Sequence, residues 1–335
     1  MNPAVKKALK SLLFLGIGVG LVYWSVKDVT AKDIESIRAN PPIYVWLILS
    51  MLVGLLSHFI RSVRWLMLIE PVAEKPKLKN SFFAVMIGYM ANYAPLPRLG
   101  EVYRCVILSR YEKAPVVALV GTVVVERIID TFLLFVLFLI MLLCRFQKVY
   151  DVVKPRIGQY IHDKLSFLEN HYLIILAFVA VSAIAFVLLI VKGDNKLSRF
   201  IKKYIQNFAD GIKSVAKLKR PVLFWVYSIG IWVLYLLSTY LCLQCFDATA
   251  APNLTLADAL VVLIFGTLGV IATPGGIGAY QILIKNVLEK IYRIAAPIPF
   301  AIGWILWGSQ FILIVSLGLI SLMLLPILNN KDDKA

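Results

Sequence analysis

Apolar runs of 18 residues or more recur along almost the whole of this 335-residue chain, and they decide its solvent before anything else is read. In hydrocarbon every backbone N–H and C=O must find its partner within the segment, so runs of this length are expected to be helices. Composition agrees: 60% of residues are hydrophobic and 16% charged. The expected class is an all-α polytopic membrane protein. The net charge of +16 would suggest nucleic acid in a soluble domain, but here the basic residues collect in a few loops beside apolar spans. That arrangement points to a membrane with anionic lipid head groups as partner, and not to nucleic acid.

Six segments read as full crossings. The first, Ser11 to Trp24, follows Lys6, Lys7 and Lys10 and has two readings, a signal peptide or an uncleaved span. Lys27 and Asp28 spoil the weak cleavage site at Val29 to Ala31 and favour the span. Ile43 to Ile60 is entered through Pro41-Pro42, which suit a first helical turn, and is expected to continue to Ile69. Val116 to Cys144 follows, broken only by Glu126, Arg127 and Asp130, then Tyr172 to Val191, Pro221 to Phe246 and Ile298 to Leu325.

Two further apolar segments stop short. Ser81 to Ala94 runs into Pro95, Pro97 and Gly100, and Leu254 to Thr273 runs into Pro274, Gly275, Gly276 and Gly278. Since about 20 residues are needed to span, each is expected to turn back as a re-entrant helical hairpin. The result is six transmembrane helices and two hairpins, eight hydrophobic segments in a single domain over 1–335.

Loop charge orients this set. Arg61 to Lys79 holds five Lys or Arg against two acids, and residues 192–220 hold nine against two, so both are expected on the cytoplasmic side, as are both termini. The hairpins then enter from opposite faces, and residues 43–145 and 221–325 form an inverted repeat of the kind transporters use. Within 192–220, Lys196 to Leu218 sets Leu197, Phe200, Ile201, Tyr204, Ile205 and Phe208 at helical spacing against Lys202, Lys203, Lys213 and Lys217. Such a basic amphipathic linker either rests on the cytoplasmic leaflet or serves only to set topology.

Ionisable residues are costly at membrane depth, so those inside the apolar segments are the candidate site. Around the first break stand Asn92, Arg98, Glu101 and Arg104, with Pro95, Pro97 and Gly100 breaking the helix. Arg98 has the planar fork that grips phosphate through two hydrogen bonds, and Glu101 is placed to hold Arg98 or Arg104 when no ligand is bound. The alternative is a salt-bridged staple between helices. Glu126, Arg127 and Asp130 fall within about a third of a helix circumference. They either complete a polar cavity with the first hairpin, or Arg127 simply pairs with Asp130. The second break, Pro274, Gly275, Gly276 and Gly278, permits unwound backbone or close helix packing, with Asp258 and Gln281 as its polar residues.

No metal-ligand pattern joins His58, His162 or His171 to Cys or acids, and no nucleotide-type glycine loop is present. No cofactor, no metal and no catalytic residue is expected. Cys242 and Cys245 have redox-motif spacing, yet on an apolar helix they read as two packed thiols.

Three motifs in order, Asn92 to Arg104 with its Pro97-Arg98-x-Gly100-Glu101 core, Glu126 to Asp130, and Thr273 to Gly278, resemble the lysylphosphatidylglycerol synthase transmembrane-region family, also called the flippase-like domain family. The resemblance covers nearly the whole chain. It implies an eight-segment helical domain of the bacterial inner membrane, associated with translocating aminoacylated phospholipids or other lipids. Two departures matter. The soluble aminoacyl-transferase domain of full-length synthases is absent, and the acid common shortly after the glycine cluster is Gln281 here. The expected function is a lipid flippase or transporter with an anionic phospholipid or lipid-linked substrate. The alternatives are an enzyme acting on a lipid-linked sugar, as an older family label (dolichol-phosphate-glucose synthetase) suggests, and a lipid-binding subunit of a separate synthase.

Overall fold

The computed structural model describes residues 29–93, 99–153, 218–246 and 254–330, with 20, 22, 23, 26 and 27 ahead of them. Most of the expected first span, the Tyr172 to Val191 span, nearly all of the basic linker helix, and Pro95, Pro97 and Arg98 lie outside the described residues. Among the described residues the regular structure is entirely helical. The chain is an all-α polytopic membrane protein, with two compact units: residues 1–126 with 222–335, and residues 127–221.

In the first unit, α1 (Ala31–Ala39) is a short polar helix. It is closed at its start by a capping box, in which Asp33 accepts from the Thr30 backbone N–H at 2.8 Å while its own N–H donates to Thr30 Oγ1 at 3.3 Å. Next comes α2 (Tyr44–Ile69), starting just after the two prolines, as the sequence led us to expect. Its pattern is the reverse of a soluble helix. Ile48, Leu49, Leu52, Leu56 and Phe59 are exposed, whereas Ser50, Ser57, His58, Arg61, Ser62 and Arg64 are buried. Apolar residues outside and polar ones inside are what lipid selects, because only the protein interior offers the polar groups partners.

This corrects the reading of loop charge. Arg61 and Arg64 belong to the buried face of α2, not to a loop, which leaves Lys75 and Lys77 against Glu70 and Glu74 in the connection that follows, with Lys79 in the first turn of the next helix. The structural reason is length: α2 runs unbroken to Ile69, so its arginines are held inside by partners on other helices.

The first hairpin is α3 (Leu78–Ala91) and α4 (Leu99–Glu112), packed against each other. At 1.5 Å per residue each arm is about 21 Å long, short of the roughly 30 Å hydrocarbon core. The arms meet at two glycines: a Cβ on Gly100 would run into the carbonyl oxygen of Gly88, and one on Gly88 would stand 2.7 Å from the Gly100 oxygen. After this hairpin α5 (Val116–Val153) begins, and its Val116–Lys148 stretch is long and apolar enough to cross a membrane. Then α6 (Pro221–Leu243) returns, zipped to α2 where the Ser50 and Ser238 hydroxyls each donate to the other residue's carbonyl, at 2.8 and 2.9 Å.

The second hairpin is α7 (Leu256–Ala272), a single 3₁₀ turn at Pro274–Gly276, and α8 (Ala279–Lys290). Gly275, Gly276 and Gly278 all have φ between 61° and 78°, the left-handed region in which a Cβ is strained. The last helix, α9 (Ile298–Asn330), packs against α2, α3 and α8. It continues through Pro326 instead of ending at Leu325, and Asn329 exchanges amide hydrogen bonds with Asn80 at the base of α3, at 2.9 and 3.1 Å. With α2, the Val116–Lys148 part of α5, and α6, it makes four helices of spanning length and apolarity among the described residues.

Between the hairpins, Tyr93 at the end of the first packs edge-on against Phe311 of α9, with ring centroids 5.0 Å apart. A Cβ on Gly275 at the tip of the second would strike that same Tyr93 ring, and Trp307 of α9 donates its indole N–H to the Gly275 carbonyl at 2.8 Å. Tyr93 and Gly275 therefore meet against one face of α9.

In the second unit, the rest of α5 carries Arg127 and Asp130, one turn apart and 3.5 Å between charged atoms. The helix kinks at Arg145, where φ and ψ leave the helical region, and Phe146 stacks on Tyr150 beyond it.

Candidate functional site: three arginines on one carboxylate

Glu126 is fully buried, and three guanidinium groups from two other helices converge on it. Arg61 NH1 donates to Oε1 at 2.6 Å, Arg64 NH2 to the same oxygen at 3.1 Å, and Arg104 NH2 to Oε2 at 2.7 Å. All four side chains are at most 4% exposed. Charges placed this deep survive only when paired and hydrogen-bonded, since removing one partner of a buried pair costs about 3–5 kcal/mol.

Each arginine is also seated on an aromatic ring. Arg104 lies over Trp65 at 4.4 Å from the ring centroid, and Trp65, itself fully buried, donates its indole N–H to Thr122 Oγ1 at 2.9 Å. Arg64 stands over Phe224 at 5.8 Å and donates to Ser228 Oγ at 3.3 Å. Arg61 sits between Tyr89 and Tyr235, 6.0 and 5.8 Å from their ring centroids, with its Nε donating to the Tyr235 hydroxyl at 3.3 Å. Such cation–ring contacts contribute about 2 kcal/mol or more where water is excluded, and they hold the guanidinium planes in place.

Several buried polar atoms, at the site and, for Gln281, in the second hairpin, stay unsatisfied. The Nε and NH1 of Arg104, both ring nitrogens of His58, the indole N–H of Trp232, and both amide atoms of Gln281 are buried with no hydrogen-bond partner. Each such group costs about 1–3 kcal/mol, and in a native interior that asks for a reason.

The sequence candidates distribute as follows. Arg104 and Glu126 come together, with Arg104 NH2 donating to Glu126 Oε2. Asn92 braces the hairpin by accepting from the Gly100 backbone N–H at 3.1 Å. Arg127 and Asp130 pair with each other. Asp258 accepts from the backbone N–H and the hydroxyl of Thr255, at 2.9 and 2.6 Å, closing the start of α7. Arg61 and Arg64 were missed as site residues. The available signal was a polar stripe of helical period, Ser50, Gly54, Ser57, His58 and Arg61, within the apolar α2. No group of three or more His, Cys, Asp or Glu suited to a metal ion occurs among the described residues. Cys242 and Cys245 are free thiols, both buried.

A bundle of lipid-facing helices around a sealed arginine–carboxylate cluster defines an integral membrane protein with an ionic centre, not a soluble enzyme fold. Residues 11–318 match the family model described as the lysylphosphatidylglycerol synthase TM region, so the chain belongs to that family. It is 28% identical over 270 residues to a UPF0104 membrane protein of Methanocaldococcus jannaschii, covering 72% of this chain and 73% of the relative. A UPF0104 membrane protein of Methanothermobacter thermautotrophicus is 23% identical over 303 residues, covering 87% of each. No solved structure matches.

Proposed function

We propose that this protein is a lipid transporter of the flippase type that recognises the anionic phosphate of a phospholipid or lipid-linked head group at the Arg61, Arg64, Arg104 and Glu126 cluster. The observation that carries the reading is Arg104, buried, fixed on Trp65, and holding two donors without partners beside those that grip Glu126. A guanidinium so placed suits phosphate, whose oxygens accept two parallel hydrogen bonds from its fork. Glu126 serves as the internal anion; an arriving phosphate competes with it for the same donors. Arg98, outside the described residues, is proposed as a further phosphate contact at the break of the first hairpin.

In this reading the two hairpins are re-entrant and belong to inverted repeats over 43–145 and 221–325, with their breaks meeting within the membrane. The contact of Tyr93 with Gly275 and α9 supports that view. Broken helices facing each other are a common way to build a transport site. The compartment proposed is the plasma membrane, the bacterial inner membrane on the family reading, with both termini cytoplasmic. The strong basic excess of residues 192–220 supports that orientation.

Mass spectrometry of lipid copurifying with the detergent-extracted protein tests the reading. Anionic lipid should be enriched over its share of the membrane, and Arg104→Met should remove the enrichment. Copurified lipid that mirrors the bulk membrane would count against it, and a lipid chemically altered by the protein would favour the enzyme instead.

A further inference from the structure

One turn before Arg61 on α2, His58 is 5% exposed and neither of its ring nitrogens has a partner. A neutral imidazole carries one donor and one acceptor, so both functions stand idle. Its ring meets Tyr89 of α3 edge-on at 5.2 Å and Tyr235 of α6 at 6.2 Å. These are the two tyrosines that flank the Arg61 guanidinium. Trp232 also packs edge-on against Tyr235, at 5.9 Å, is 7% exposed, and keeps its indole N–H without a partner. Idle donors and an acceptor are thus grouped on a scaffold of aromatic rings, next to an arginine of the ionic cluster. The covering rings, Tyr89 and Tyr235, are themselves only half-buried.

We propose that His58 and Trp232, with Tyr89 and Tyr235, form an uncharged subsite beside the arginine cluster that takes the hydroxyl groups of a polyol-bearing phosphate head group. The inference rests on the phosphate reading above and extends it from charge to the class of head group. The chemistry matches on each count. A hydroxyl both donates and accepts, as the imidazole requires, and can accept from the indole N–H. The C–H faces of a polyol pack against aromatic rings. A bare methylated amine would leave the imidazole and indole atoms unsatisfied.

Binding of phosphatidylinositol and phosphatidic acid to the full chain in nanodiscs, with diacylglycerol as the phosphate-free comparator, tests this. The wild type should favour phosphatidylinositol over phosphatidic acid by about fivefold, the yield of one or two hydrogen bonds. His58→Phe should bring the ratio close to one, and Trp232→Phe should lower it by about twofold. Trp232→Phe keeps the ring packing, so the test stands even if His58→Phe fails to fold. Equal wild-type affinity for the two phospholipids, or an undiminished ratio in the variants, overturns the subsite. Failure of the phosphate reading looks different: both phospholipids would bind no better than diacylglycerol.

Discussion

The two helical hairpins share an outline and differ in what they bury. The first joins arms of 14 and 14 residues through a Gly88 to Gly100 contact braced by Asn92, and delivers Arg104 to the Glu126 cluster. The second joins arms of 17 and 12 residues through Tyr280, whose backbone and ring lie against Gly269 and Gly266. It brings no cation to that cluster: its buried acid, Asp258, accepts from Thr255 at the helix start, and the buried polar side chain of the returning arm is the neutral Gln281. The difference teaches that a helix break and a working ionic site are separable. Close glycine contacts join the arms in either case, but only the hairpin facing α2 and α5 carries a cation that those helices can pair.

That contrast sets an order of sensitivity. The largest effect should come from Glu126→Gln, which leaves Arg61, Arg64 and Arg104 facing a neutral amide. We expect a loss of about 3–5 kcal/mol, read as a sharp drop in folded yield and in the thermal midpoint in detergent. A midpoint within a degree or two of wild type would mean the cluster is not what ties the first hairpin down.

Gly100→Ala should come next, because its Cβ meets backbone at Gly88, which cannot move without separating the arms. A cost of about 1–3 kcal/mol is expected. The matched change in the second hairpin, Gly266→Ala, meets the Tyr280 ring at 2.7 Å and should cost less, since a side chain can turn away. Equal costs would erase the distinction drawn between backbone and side-chain seams.

The smallest effect belongs to Gln281→Leu. It deletes two buried polar atoms that lack partners and keeps nearly the same volume, so stability should hold or rise by up to about 2 kcal/mol. A clear loss would show that Gln281 has a partner in the membrane and that the second hairpin is not a neutral counterpart of the first.

Much of this was legible in the sequence. Long apolar runs, the Pro41-Pro42 entry and the two Pro/Gly breaks located helices and hairpins, because backbone pairing in lipid leaves so few choices. Glu126 stood out as an acid inside an apolar run, and Arg104 as a base beside a break. Arg61 and Arg64 did not stand out, since at the end of a long span two arginines look like the start of a loop. What holds them inside is the carboxylate 65 and 62 residues further along the chain. A partner so distant has no local signature; only the helical period of the polar stripe on α2 hints at it. The hydrogen bond by which Asn92 accepts from Gly100 likewise had no signature in the sequence, which offered Asn92 only as a ligand contact.

The central claim is that the buried arginine cluster, and Arg104 in particular, receives phosphate. Flipping of a fluorescent anionic phospholipid in proteoliposomes by Arg104→Lys, at matched protein density, tests it most directly. Lysine keeps the charge opposite Glu126 but lacks the planar fork. The account predicts a folded protein that has lost most of its flipping; wild-type flipping by that variant would show that Arg104 only balances charge and would contradict the account.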